Sequence, residues 1–182
     1  GLVQTDPNFG NYLINDDGSE LTLLDFGSVF ELDKTVRTAL CNAILAGLIN
    51  DEARLETALV ALGCLKSDAG EVAKATFKAF ISNLLEPLRP PEALQPEHVN
   101  AEGLYSWGRS ELVKRTSQQV VRSLMNKEFA IPSGDFAMVA RKLTGVFTFI
   151  AVLNAEFNGY DIVKPYLDQI TASEGDRQMS SS

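Results

Sequence analysis

Three polar side chains near the start of the chain have the types and the spacing for chemistry on a phosphate group. Asp6 is followed five positions later by Asn11, and Asp25 opens an Asp25-Phe26-Gly27 triplet after a short apolar stretch. Phosphoryl transfer needs little covalent help from a protein. It needs a carboxylate beside the acceptor, and oxygen ligands for the cation that neutralises the phosphates. Asp6 suits the first role. Magnesium takes a few hard oxygen donors and keeps several waters, so one amide oxygen and one carboxylate, Asn11 and Asp25, are enough beside a nucleotide.

Those residues must be brought together by the chain between them. Residues 12–15 and 21–24 are short runs rich in apolar residues, joined through Asp16-Asp17-Gly18-Ser19, which is strong turn composition. Folding them into a β-hairpin places Asn11, at the start of one strand, beside Asp25, at the end of the other. An Asp, an Asn five residues on and a following Asp-Phe-Gly also form part of the protein-kinase signature set. Each half alone is ordinary turn composition; the ordered pair with a hairpin between them is not.

The segment Gln4-Thr5-Asp6-Pro7-Asn8-Phe9-Gly10-Asn11, followed by Leu23-Leu24-Asp25-Phe26-Gly27, resembles the catalytic loop and metal loop of the AarF/UbiB-type (ABC-one) atypical kinases. The Gln-Thr-Asp-Pro-Asn wording is similar to the coenzyme Q branch of that family, and Gln4 stands where typical protein kinases carry the His of H-R-D. A second, thinner likeness lies in Ile131-Pro132, Arg141-Lys142, Gly145 and Leu153-Asn154-Ala155-Glu156-Phe157. Aminoglycoside-type small-molecule phosphotransferases share the Asp-to-Asn spacing but keep a His two positions before the Asp. The chain has one His, at 98. They remain the alternative enzyme reading, and a catalytically idle kinase-like scaffold in a biosynthetic complex is the alternative of another class.

The resemblance implies a mainly α fold, a protein-kinase-like C-lobe with a small N-terminal β-hairpin carrying the catalytic and metal-binding loops. It implies binding of ATP with magnesium, in support of ubiquinone (coenzyme Q) biosynthesis. Asp6 would be the catalytic residue, with Asn11, Asp25, Phe26 and Gly27 binding the cofactor and Asn11 and Asp25 holding the metal. Phe26 would pack to orient Asp25, Gly27 would free the backbone to turn, and Gln4 would support the loop. Lipid or quinone precursors and a membrane-associated complex are the implied partners. The implied location is the cytoplasmic face of a bacterial membrane or the mitochondrial matrix side.

Such an enzyme also needs a nucleotide loop, a strand lysine and a pairing helix glutamate. None is found here, so the sequence reads as the C-terminal lobe of a larger protein, expected to be inactive alone. Its parts are expected at 1–31 for the catalytic loop, hairpin and metal loop, and 32–171 for a helical lobe. A disordered tail is expected at 172–182. Few residues separate Gly27 from the first helix, where a typical protein kinase carries a long activation segment. That points away from a protein substrate in the usual groove.

Composition bounds the rest. The 182 residues are 45% hydrophobic, enough for one sizeable core, and carry a formal net charge of −8 with scattered Lys and Arg, which disfavours nucleic-acid binding through a basic surface. The longest apolar runs, such as 146–153, are too short to span a bilayer. Cys41 and Cys64 have no metal-ligand spacing and read as reduced thiols in apolar helices, which suggests a reducing compartment.

Apolar periodicity predicts a helix from Asp33 with Val36, Leu40, Ile44 and Leu48 as its apolar stripe, beside a small-residue seam of Ala39, Ala43 and Gly47. A second helix is expected from an Asn50 cap, and a third from near Asp68 with Val72, Phe77, Phe80, Ile81, Leu84 and Leu85. Pro87, Pro90, Pro91 and Pro96 make 86–103 a loop, with His98 solvated and Tyr105 and Trp107 anchoring it. A fourth helix covers about 110–127, with Lys114, Arg115 and Arg122 on a solvated face. The longest helix follows from a Ser133 cap, with Arg141 either paired or at the surface, and a last short helix spans 162–170.

Overall fold

The computed structural model describes residues 1–6, 8–124 and 134–179. It is mainly helical, with all its strands in the first 31 residues. Four three-residue strands form two antiparallel ribbons: β1 (Leu2–Gln4) pairs with β4 (Val29–Glu31), and β2 (Tyr12–Ile14) pairs with β3 (Leu21–Leu23). The inner ribbon is the expected hairpin. Its turn works as the composition implies: Gly18 takes φ +73°, and Asp17 accepts from the backbone N–H and hydroxyl of Ser19. The outer ribbon is new, and it encloses the inner one in sequence.

The helical lobe begins at α1 (Lys34–Ile49), whose cap Asp33 accepts from the Thr35 N–H at 2.7 Å. Asn50 closes this helix in the left-handed conformation, φ 58°, and Asp51 caps α2 (Glu52–Ala61). The expected Asn50 cap is thus one residue early. Asparagine tolerates the left-handed turn that ends a helix, and the carboxylate suits the positive end of the next. The third helix, α3 (Glu71–Leu84), starts after Gly70 with no side-chain cap, so Asp68 does not serve as one.

The small-residue seam carries the tightest packing. Ala39, Ala43, Ala46 and Gly47 are buried, while Val36, Leu40, Ile44 and Leu48 are only partly covered. A Cβ on Gly47 would lie 2.6 Å from Leu85 Cδ1 and 3.1 Å from Ile81 Cγ2. Close approach of α1 and α3 therefore requires the absence of a side chain there. Leu55, Leu59, Leu62, Cys64, Phe77 and Ile81 complete this core. Val72, expected in the stripe, is 73% exposed. Cys64 is fully buried and its burial pushes the thiol pKa up to about 12, whereas Cys41 is half-buried; both are free.

The proline-rich stretch is an ordered series of three single-turn 3-10 helices, at Glu86–Leu88, Pro91–Ala93 and Pro96–His98, each with proline in its first turn where no N–H is needed. It seats a second core of Leu94, Tyr105, Trp107, Leu112 and Phe147, in which Trp107 stacks on Phe157 at 5.1 Å. The expected anchoring role of Tyr105 and Trp107 holds.

Two expectations about charge fail at the same place. Glu86 is buried and accepts from Arg115 Nη1 at 2.8 Å, Arg115 Nη2 at 2.9 Å and the Tyr105 hydroxyl at 2.8 Å, with His98 Nδ1 2.6 Å away. His98 is therefore largely covered, with its ring against the Glu86 carboxylate, rather than solvated. Arg115 turns inward from the face predicted to be solvated, because a buried carboxylate without a cation would be prohibitive. Burial pushes the Glu86 carboxyl up, but the hydrogen bonds from Arg115 and Tyr105 and the charge of Arg115 hold it below its ordinary value.

The fourth helix, α4 (Leu112–Leu124), leads to α5 (Gly134–Val152), and α6 spans Gly159–Met179. The Ser133 cap, the Ile131-Pro132 motif and the Arg122 side chain lie outside the described residues. Two further boundaries shift. The longest helix is α6 rather than α5, and it continues past residue 171, where the tail was expected to be disordered; the polar residues there include good helix formers and no proline.

Candidate functional site

The two loops that carry the candidate residues are the crossings between the ribbons. Residues 5–11 connect β1 to β2, and residues 24–28 connect β3 to β4, so the nested pairing sets the loops opposite each other. Two sets of backbone bonds fix the gap. The buried Thr5 donates to the Ser28 carbonyl through its N–H at 2.8 Å and its hydroxyl at 3.0 Å, and the Leu24 N–H donates to the Asn11 carbonyl at 2.8 Å. Asp6 follows the first strut and Asp25 the second. Thr5 was not singled out in the sequence, although a β-branched residue with a hydroxyl beside Asp6 was the available signal.

Within the first loop, Asp6 and Asn11 touch directly. Asn11 donates from Nδ2 to Asp6 Oδ2 at 2.7 Å, while Asp6 Oδ1 accepts from the Asn8 N–H at 3.2 Å. Asn8 in turn caps the single 3-10 turn Phe9–Asn11 by accepting from the Gly10 N–H. The carboxylate is thereby held in one orientation, with lone pairs remaining on both oxygens. Because Asn11 uses its amide nitrogen on Asp6, its amide oxygen is left to face away from that bond.

Asp25 is exposed and its Oδ1 accepts from the Gly27 N–H at 2.6 Å. A Cβ on Gly27 would meet that oxygen at 3.0 Å. Gly27 does not adopt positive φ, so the expected conformational role gives way to a steric one: it lets the loop turn tightly under the carboxylate. Phe26, expected to pack and orient Asp25, is 66% exposed. Leu13, Ile14, Leu21 and Leu24 are also exposed, so the apolar side of the ribbons is not part of either core.

The floor beneath the first loop is α5, and here the structure gives a role to a residue that the sequence places only in the Arg141-Lys142 likeness. Lys142 donates from Nζ to Gln4 Oε1 at 2.5 Å, to the Tyr12 hydroxyl at 2.8 Å and to the Asp6 carbonyl at 3.2 Å, and sits 5.5 Å above the centre of the Tyr12 ring. One turn-pair further along α5, Phe149 stacks on Phe9 with ring centroids 4.2 Å apart. The lysine thus ties together the residue before the loop, the catalytic candidate's own backbone and the first residue of the hairpin. Its neighbour Arg141, expected to be either paired or at the surface, is exposed. Gln4 supports the loop as expected, through its amide oxygen; its Nε2 is buried without a partner.

The donor set suits a hard divalent cation in kind, with one carboxylate and one amide oxygen beside a fixed second carboxylate. Among the described residues, no cluster of three or more His, Cys, Asp or Glu side chains forms a protein-only metal cage. A two-ligand site completed by a phosphate-bearing substrate is what such a set can build.

Residues 1–59 match the family described as ABC1 atypical kinase-like domain, a span that holds both loops, both ribbons and α1. The protein named "Atypical kinase COQ8, mitochondrial" of Schizosaccharomyces pombe is 26% identical over 156 residues, which is 85% of this chain and 24% of that protein. The chain therefore spans about a quarter of the length of that relative. Among the described residues, no helix is long and apolar enough to cross a membrane.

Proposed function

We propose, with the chain's place in the AarF/UbiB-type (ABC1) atypical kinase family as premise, that these residues form the magnesium-and-acceptor half of an ATP-using phosphoryl-transfer or ATP-hydrolysis site. The observation that carries the reading is the nested pairing of the ribbons, which sets the Asp6–Asn11 loop against the Asp25 loop.

Asp6 accepts a hydrogen bond from the incoming hydroxyl or water on a carboxylate that Asn11 and the Asn8 N–H hold still. Asn11, through its amide oxygen, and Asp25, through its second carboxylate oxygen, would hold magnesium, and the Gly27 N–H fixes the Asp25 rotamer from below. Magnesium, when bound with the nucleotide, supplies neutralisation of phosphate charge. Lys142 holds Gln4, Asp6 and Tyr12 in register, and its charge lies on the backbone side of Asp6 rather than toward the acceptor.

The strap between β1 and β4 leaves no activation segment after Gly27, which favours water or a small molecule over a protein as acceptor. The wording of residues 4–8 and the similarity to the fission-yeast relative support a role in ubiquinone biosynthesis. A scaffold reading is less favoured, since idle chemistry gives no reason to keep the Asp6, Asn11 and Asp25 set.

The test is magnesium-dependent ATP turnover by the intact protein. Asp25→Asn should abolish it while nucleotide-free folding is unchanged. Turnover that survives that substitution at full rate would remove Asp25 from the metal site.

A further inference from the structure

The helical lobe contains a cavity that the phosphate-transfer reading does not use. It has a volume of about 420 Å³ and lies between α1, α3, α4 and α5, within the size range of small-molecule sites. Its walls are aliphatic and aromatic, with Ile44, Phe80, Leu84 and Phe147 among them. Of the three hydroxyl side chains in the lining, Thr116 donates to the Leu112 carbonyl at 2.7 Å and Thr144 to the Ala140 carbonyl at 2.9 Å, each within its own helix, which leaves Ser117. Apart from Ser117 the wall offers a ligand few polar partners, and water would find few inside.

One charged group also lines this space. Arg141 is in the lining and exposed, and it forms no ion pair or hydrogen bond among the described residues. In a chain of net charge −8, an exposed arginine in the lining of an apolar chamber, unpaired among the described residues, is a specific combination. The free fork can bind a carboxylate or phosphate in bidentate fashion while an alkyl tail fills the interior.

We propose that this cavity binds a single-chain anionic amphiphile, with its hydrocarbon tail among the side chains of α1, α3, α4 and α5 and its head group on Arg141. The inference is independent of the kinase-like site, because none of its residues belongs to the two loops. Lys142 and Arg141 are adjacent on α5, so the same helix meets the catalytic loop with one residue and lines the chamber with the other.

The experiment is calorimetric titration of the 182-residue chain with saturated fatty acids and the matching alcohols, below their micelle concentrations. Binding should be one to one, tightening about fourfold for each added methylene and levelling off once the chamber is full. Trp107 reports independently, since its ring lies 5.2 Å from Phe147 in the wall and is the chain's one tryptophan. Arg141→Glu should weaken dodecanoate at least tenfold and leave dodecanol unchanged. Ala140→Phe, which fills the chamber from α5, should abolish binding of both; Val139→Phe serves if the first variant does not fold.

Several results would overturn the proposal. They are absence of saturable binding, retention of affinity in a folded filled-cavity variant, and equal loss of acid and alcohol in Arg141→Glu. Failure here leaves the Asp25→Asn result untouched.

Discussion

Replacing Lys142 with methionine tests whether the first loop is held by α5 or stands by itself. The substitution keeps the stem and removes three hydrogen bonds, to Gln4, Tyr12 and the Asp6 carbonyl, together with the charge above the Tyr12 ring. Bonds from a charged donor contribute about 1.5–3 kcal/mol each when covered. Lys142 is half-buried, so screening reduces them to about 1 kcal/mol each, or 2–3 kcal/mol for the set. Local opening of the loop should then rise about 30- to 150-fold. Hydrogen exchange reads this directly: the Thr5 and Leu24 amides, which bond across the two loops, should exchange faster by that factor, while amides in α2 stay unchanged. On the proposed function, kcat of the intact protein should fall more than KM rises, because Asp6 loses its register while Asn11 and Asp25 keep theirs. Unchanged exchange at Thr5 and Leu24 would refute the reasoning, and so would an equal acceleration in α2, which would mean global destabilisation.

Other outcomes follow from the buried groups. Glu86→Gln leaves Arg115 facing a neutral partner in a site where the glutamate side chain is 5% exposed. It should cost about 3 kcal/mol, seen as a urea midpoint lower by about 1.5 M, and Arg115→Met added to it should restore part of the loss. Because the folded Glu86 carboxyl titrates below its ordinary 4.5, its contribution to stability is complete above that pH and is lost as the pH falls through the folded value. Acid unfolding of the wild type should therefore steepen below about pH 4.5, and the Glu86→Gln chain should lack that component. Gly47→Val should lower stability by about 2 kcal/mol through overpacking against Leu85 and Ile81, measured by thermal unfolding. Cys41 should react with an aromatic disulfide reagent in the native protein, and Cys64 only after denaturation, since burial keeps its thiol protonated.

The site was legible where its information is local. The Asp16-Asp17-Gly18-Ser19 turn fixes the inner ribbon, and fixing that ribbon places Asn11 near Asp25. The outer ribbon was missed because a three-residue strand such as Leu2–Gln4 has no periodicity to read, and its partner lies 25 residues away. The role of Lys142 was missed for a related reason. A lysine on an amphipathic helix reads as surface, and nothing near it in sequence says that Gln4 and Tyr12 will be its acceptors. The same limit hid Glu86 and Arg115: each looks solvated alone, and only the fold brings them within one hydrogen bond. The helical lobe was more accessible, since alanine and glycine at four-residue spacing announce a close helix crossing whatever the partner. Cap positions slipped by one residue where two good caps, Asn50 and Asp51, stand side by side.

The strap between β1 and β4 has a bearing on control. In many phosphoryl-transfer enzymes the stretch after the metal-binding aspartate swings out and back, and that swing is the switch. Here Leu2 pairs with Glu31, Gln4 with Val29, and Leu32 reaches the Gly1 carbonyl at 2.8 Å, so the stretch is stitched at both ends to the strand that precedes Asp6. Moving it would mean unzipping the ribbon from which the Asp6 loop springs. In the site proposed above, displacement of this stretch and displacement of the Asp6 loop are therefore one event rather than two.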